Sequence, residues 1–142
     1  FHTDNAPLAV IEWDAELRVA RWAGDAERVF GWRAAEVRGK HPSEWRFVVE
    51  DDADALLGAV AALADGSRRK NVCRSRHYRK DRRVVHCEWF NSVLLDERGG
   101  LVSIQSFVLD ATDRRRAEAA LRDSEARFRS IVLDAPVPIL VC

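Results

Sequence analysis

The feature that most constrains this chain lies near its C-terminus. An apolar, β-rich run, Leu101 to Leu109, ends in Asp110-Ala111-Thr112 and passes straight into Asp113-Arg114-Arg115-Arg116-Ala117-Glu118. No glycine or proline interrupts the passage, so a strand must stop and a charged helix must start at nearly one point. The chain therefore needs a sheet and a rod, joined without a tether. Asp110 ends the strand, and Thr112 and Asp113 are the residues that can cap the helix.

The upstream residues predict the rest of the sheet. Leu8 to Trp13 reads as a short strand, Asp14-Ala15-Glu16 as a turn, and Leu17 to Trp22 alternates apolar and polar at period two. Gly24-Asp25 offers a break and a cap before a short helix, Ala26 to Phe30, stopped by Gly31. Ala34 to Arg38 is a further helical turn ended by Gly39, and Pro42 opens an irregular stretch through Phe47. The acidic run Glu50-Asp51-Asp52-Ala53-Asp54 suits a helix start against the dipole. Leu56, Leu57, Val60, Ala61 and Leu63 form its apolar stripe, and Asp65-Gly66 ends it. Three strands follow: Arg69–Tyr78, Val84–Leu95 and Leu101–Leu109, with Lys80-Asp81-Arg82 and Asp96 to Gly100 as turns. Strands flanking a helical middle predict an α+β fold: one five-stranded antiparallel sheet with helices on one face, a pocket between them, and a C-terminal helix.

Composition narrows the classes. The 142 residues are 47% hydrophobic and 32% charged, which suits a globule with a real core. Formal net charge is zero, which argues against a nucleic-acid surface, because such a surface needs a basic excess. The arginines at 68, 69, 74, 76, 79, 82 and 83 read as a solvated strand face. No stretch approaches the ~18 apolar residues that span a bilayer, and no signal peptide is visible. Phe1 suggests a fragment of a longer protein, whose membrane anchor, if any, lies elsewhere. Cys73, Cys87 and Cys142 show no CxxC spacing and suit reduced thiols in the cytoplasm.

The tail from Arg114 to about Leu133 is expected to be a signalling helix (residues 113–133). Ala117, Leu121, Ser124, Phe128 and Ile131 alternate spacings of four and three, a coiled-coil dimer seam over about two heptads; packing on its own domain is the alternative. Ala6-Pro7-Leu8-Ala9-Val10-Ile11 also echoes Ala135-Pro136-Val137-Pro138-Ile139-Leu140. The echo predicts that residues 134–142 begin a second, truncated copy of the domain at 1–112.

Several short pieces, in this order and spacing, carry a resemblance. They are Arg21-Trp22, Ala26 to Trp32, Glu36 to Lys40, Glu50-Asp51-Asp52, Tyr78 to Asp81, Cys87 to Ser92 and Asp110-Ala111-Thr112. Over residues 6 to 124 they resemble a PAS domain with its C-terminal motif. The resemblance implies a sensory module that binds a small molecule or a partner. It also implies transmission through the sheet (Asp110, Thr112) to the helix, and so to an output domain, a bacterial histidine kinase first among them. Two positions depart from the family. Arg82 stands where glycine is usual, implying a wider hairpin, and Ala23 stands where asparagine is common.

Strand parity places Cys87, Trp89, Asn91 and Val93 on one face and His86, Glu88, Phe90 and Ser92 on the other. Comparison with the flavin-binding light-sensing (LOV) members turns the Cys87 face inward and sets His77 where an amide grips the flavin. Asn91 then needs a polar partner: a ligand, a backbone group or a water. Trp22, Trp45 and Trp89 suit either an aromatic wall for a planar ligand, with flavin the named candidate, or a dense core. The resemblance also excludes. Gly39-Lys40-His41-Pro42-Ser43 lacks the cysteine of the LOV motif, so no photoadduct is expected. The helix Asp52 to Asp65 lacks the axial histidine of haem-binding members, leaving only His41, His77 and His86. No phosphate loop or nucleophile–base cluster points to catalysis or to a metal. The competing expectation is a ligand-free dimerisation module.

Overall fold

The computed structural model describes residues 7–133. Five strands form one antiparallel sheet in the order β2-β1-β5-β4-β3. They are β1 (Leu8–Asp14), β2 (Val19–Gly24), β3 (Lys70–Tyr78), β4 (Val84–Leu95) and β5 (Leu101–Asp110). Between β2 and β3 lie α1 (Ala26–Phe30), α2 (Ala34–Val37), two 3-10 turns (Pro42–Glu44 and Glu50–Asp52) and α3 (Ala53–Ala64). A 22-residue helix, α4 (Thr112–Leu133), follows β5. The chain parts into two units between Ala111 and Thr112. The expected second copy of the domain falls on residues 134–142, outside the described residues. No helix among the described residues is long and apolar enough to cross a membrane.

The antiparallel α+β architecture agrees with the sequence reading, and three local differences have physical causes. The second strand begins at Val19, not Leu17. The Asp14 carboxylate accepts from the N–H groups of Glu16 and Arg18, both at 2.9 Å, and Leu17 takes a left-handed backbone with φ 64°. The turn thus consumes two more residues, and Leu17 packs on the core. The β3–β4 hairpin is not widened by Arg82. Its turn is closed by Arg79 N–H to Arg83 O at 2.7 Å and Arg82 N–H to Arg79 O at 2.9 Å. Arg82 adopts φ 72°, the strained conformation that glycine would take freely. On α3 the stripe is narrower than expected. Leu63 is buried, whereas Leu57 is 62% exposed and Ala61 is also exposed. Residues 56, 60 and 63 share one face; 57 and 61 lie about 100° round the helix.

Gly24 is the one glycine whose side chain would be intolerable. With φ 62°, a Cβ there would sit 2.8 Å from the Leu8 carbonyl oxygen. Beside it, Asp25 does not cap α1; its carboxylate accepts from Leu8 N–H at 3.0 Å and ties β1 to the start of the helix.

The core lies between the inner sheet face and α1, α2 and the following turns. Ile11, Val29, Phe30, Val37, Phe47, Leu63, His77 and Val108 are at most 2% exposed. Burying such side chains supplies about 1.5–3 kcal/mol each, an upper estimate.

Candidate functional site: an aromatic box and a polar chain

Two neighbourhoods share the inner face of β4. The first is a box of rings. Phe47 has its ring centroid 4.4 Å from His77, 4.9 Å from Trp45, 5.0 Å from Phe30, 6.1 Å from Trp22 and 6.2 Å from Trp89. Most pairs are tilted or edge-on, the arrangement that aromatic quadrupoles favour. Alternation puts Val85, Cys87, Trp89 and Asn91 into the interior from β4, and Ser75 and His77 from β3.

His77 is fully buried, and its hydrogen bonds define its state. The Trp89 indole N–H donates to His77 Nε2 at 3.0 Å. Indole can only donate, so Nε2 carries no proton and the ring proton sits on Nδ1. The Ser75 hydroxyl, 2.7 Å away, then donates to the same Nε2. Burial lowers the His77 pKa to about 3, so the ring is neutral; the Phe47 carbonyl and Asp52 offset part of that shift. The Phe47 carbonyl already accepts from Tyr78 N–H at 2.8 Å. The same carbonyl faces the His77 ring closely enough to raise its pKa, but no hydrogen bond of good geometry reaches it from Nδ1. Among the described residues, His77 Nδ1, Trp45 Nε1 and Trp32 Nε1 are buried donors without an acceptor. Such groups are rare in native proteins because each forfeits its hydration.

The second neighbourhood is a closed polar chain. Trp13 N–H donates to Ser106 Oγ (3.2 Å), and the Ser106 hydroxyl donates to Asn91 Oδ1 (2.6 Å). Asn91 Nδ2 donates to Asn71 Oδ1 (2.9 Å), and Asn71 Nδ2 donates to the Ala59 carbonyl (3.1 Å). The chain runs head to tail from β1 through β5, β4 and β3 to α3. Register explains it: Asn71, Asn91 and Ser106 lie directly opposite one another on adjacent strands. Asn91 therefore has its partners within the protein.

Surface contacts close the interior. Arg79 donates to the carbonyls of Arg28 (2.9 Å) and Val29 (2.6 Å) at the end of α1, and Lys80 N–H donates to Phe30 O at 2.9 Å. Lys80 also pairs with Glu36 at 2.5 Å. Before α3, Asp52 receives three bonds from Arg76: backbone N–H (2.7 Å), Nε (3.0 Å) and Nη2 (2.9 Å). The Arg76 guanidinium holds the Asp52 carboxyl below its ordinary range.

The structure brings together Trp22, Trp45, His77 and Trp89. Trp22 also donates to the Trp32 carbonyl at 2.9 Å. Asn91 stands two residues along β4, in the polar chain. Cys87 is buried on the same face; burial first, then Asp110, pushes its thiol upward. Asp110 ends β5, and Thr112 is the first residue of α4. On α4 the residues 117, 121, 124, 128 and 131 are all exposed. Phe30, Phe47, Asn71 and Ser106 were not among the sequence candidates. The only signal for Phe47 was an aromatic in a segment with no periodicity.

Residues 3–116 match the family model described as the PAS fold, and the chain belongs to that family. Solved structures agree in fold. A sensory box histidine kinase/response regulator from Burkholderia thailandensis superposes with TM-score 0.69 at 18% identity, over 89% of this chain and 94% of that one. An RNA-binding Light-Oxygen-Voltage receptor gives 0.67 at 20% identity, over 86% and 35%. The N-terminal domain of a diguanylate cyclase with a PAS/PAC sensor from Marinobacter aquaeolei gives 0.66 at 13% identity, over 76% and 98%. At these identities the likeness is one of fold. No curated protein matches the chain.

Proposed function

We propose that the chain is a signal-sensing module. Its interior receives a small molecule, or its surface a partner, and β5 passes the resulting shift into α4 and on to an output domain of a longer cytosolic protein. A histidine kinase is the leading output, in keeping with the Burkholderia likeness; the Marinobacter likeness keeps a cyclase as the alternative. The observation that carries this reading is the junction at Ala111. That residue is buried, its N–H donates to His86 O on β4 at 2.8 Å, and the next residue begins α4. A shift of the sheet meets the start of the helix after a single residue of chain.

The α4 stripe supports a homodimer. Leu121, Phe128 and Ile131 are 59%, 67% and 70% exposed, at heptad spacing on an otherwise charged helix. Leu121→Asp is expected to weaken self-association by at least about tenfold, a cost typical of desolvating a charge in a helix seam. Sedimentation equilibrium checks it; undiminished dimer mass assigns the dimer to another surface. Flavin is the named candidate for a coloured ligand. The absorbance spectrum of freshly purified protein tests it: flavin bands support it, a Soret band replaces it with haem, and a colourless protein removes both.

A second reading is a ligand-free association module. It is favoured by the outer sheet face, where Val72, Phe90 and Phe107 form one cross-strand row, 61%, 42% and 41% exposed. If Phe90→Glu abolishes association while Leu121→Asp leaves it intact, this second reading replaces the first.

A further inference from the structure

Phe47 and Trp45 are the two rings of the box that no helix or strand carries, and of the two Phe47 is the buried one at its centre. It comes from the irregular stretch between the two 3-10 turns. That stretch joins the free edge of β3 through Tyr78 N–H to Phe47 O (2.8 Å), Val49 N–H to Arg76 O (3.1 Å) and the Asp52–Arg76 pair. Yet its ring lies within 6.2 Å, centroid to centroid, of all five other rings. The least regular segment thus supplies the centre of the cage, the place of a guest rather than of a wall.

The cage also states what it lacks. The two rings nearest Phe47, those of His77 and Trp45, each hold a buried N–H without an acceptor. A benzyl group offers them only a weak acceptor, its π face. None of the six rings carries a charge, His77 being neutral.

We propose that Phe47 is the resident occupant of a ligand site whose external ligand is a small neutral aromatic molecule bearing a hydrogen-bond acceptor, of the aryl ketone class. The ligand takes the place of the Phe47 ring and accepts from His77 Nδ1–H or Trp45 Nε1–H. This inference rests on the sensory reading above and names its ligand class. It excludes a charged group inside the cage, because the cage offers N–H donors but no opposite charge to offset the desolvation. It also sets occupancy beside the sheet: the Phe47 backbone is bonded to Tyr78 of β3, and the next residues, Val49 and Asp52, to Arg76.

The test uses the 142-residue chain with Phe47→Ala and three probes: acetophenone, ethylbenzene (nearly the same shape without the carbonyl) and benzoate. Calorimetric titration is expected to show acetophenone binding about tenfold more tightly than ethylbenzene, the worth of pairing one buried donor. Benzoate is expected not to bind. Proton–nitrogen correlation spectra are expected to show the Trp45 or His77 N–H moving downfield with acetophenone only. Equal affinity for acetophenone and ethylbenzene, no binding of either, or unmoved Trp45 and His77 signals would overturn the proposal. Should Phe47→Ala not fold, Phe47→Leu and the wild-type chain at millimolar acetophenone give the same readout. Selective binding without any effect of acetophenone on the α4 dimer would keep the site and defeat the sensory reading; an effect on the dimer without donor engagement would do the reverse.

Discussion

Trp89 and Asn91 stand two residues apart on the same face of β4, and their surroundings are built on opposite rules. Around Asn91 every amide group is spent. Its oxygen accepts from Ser106, its nitrogen donates to Asn71, and the chain closes on a backbone carbonyl. Around Trp89 the rings pack closely, but the neighbouring His77 and Trp45 keep donors in reserve. A sheet that satisfies one polar group completely has no topological reason to leave others orphaned on the adjacent pair of residues. The contrast teaches that buried polarity in this domain has two uses. The closed chain fixes strand register, and the open box holds capacity for something that is not part of the chain.

The box predicts the largest effect, in its response to pH. The His77 pKa falls from 6.5 to about 3 on folding. Below pH 6.5 the unfolded chain takes up a proton that the folded chain refuses, so stability is complete above that pH and declines as pH falls. The limiting slope is about 1.4 kcal/mol per unit, or about 3 kcal/mol across two units. Asp52, Glu36, Glu44 and Glu50 are held below the ordinary carboxylate range, so their contributions fade only as pH falls below about 5 and leave the window from pH 7 to 5 to His77. Denaturant unfolding of wild type and His77→Gln between pH 7 and 4 checks this; parallel curves would mean that His77 is not held neutral.

The closed chain predicts the next effect. Asn91→Ala strands the Ser106 hydroxyl and the Asn71 carbonyl in the interior, at a cost of about 2–3 kcal/mol. Trp89→Phe removes one donor from His77 Nε2 but leaves the Ser75 hydroxyl in place, and should cost about 1 kcal/mol from the lost hydrogen bond. If the two costs were equal, or reversed, the distinction between a spent and an unspent neighbourhood would fail. The smallest effect lies outside both. Arg82→Gly relieves the left-handed backbone at the β3–β4 turn and is expected to stabilise by about 0.5–1 kcal/mol, seen as a raised Tm.

Much of this was readable in the residues. The strand-like runs located all five strands to within two residues at each end, and Gly31 marked the end of α1. The parity of Val84 to Leu95 put Cys87, Trp89 and Asn91 on one face, and the likeness to LOV members turned that face inward, where it lies. What stayed hidden depends on contacts distant in the chain. Asn91 meets Asn71 and Ser106 through register, and register is a property of paired strands, not of either strand alone. Leu17 broke the expected strand because the Asp14 side chain outcompetes the ladder for nearby N–H groups. Phe47 escaped notice because it sits in a segment with no period, and its place at the centre of the box is set by the β3 edge it leans on.

The most direct test of the account is the nitrogen-15 spectrum of the His77 ring in the folded protein between pH 5 and 8. The ring is expected to be neutral throughout, with the proton on Nδ1 and a bare Nε2 that accepts from Trp89. A proton on Nε2, or a titration midpoint near 6.5, would contradict it.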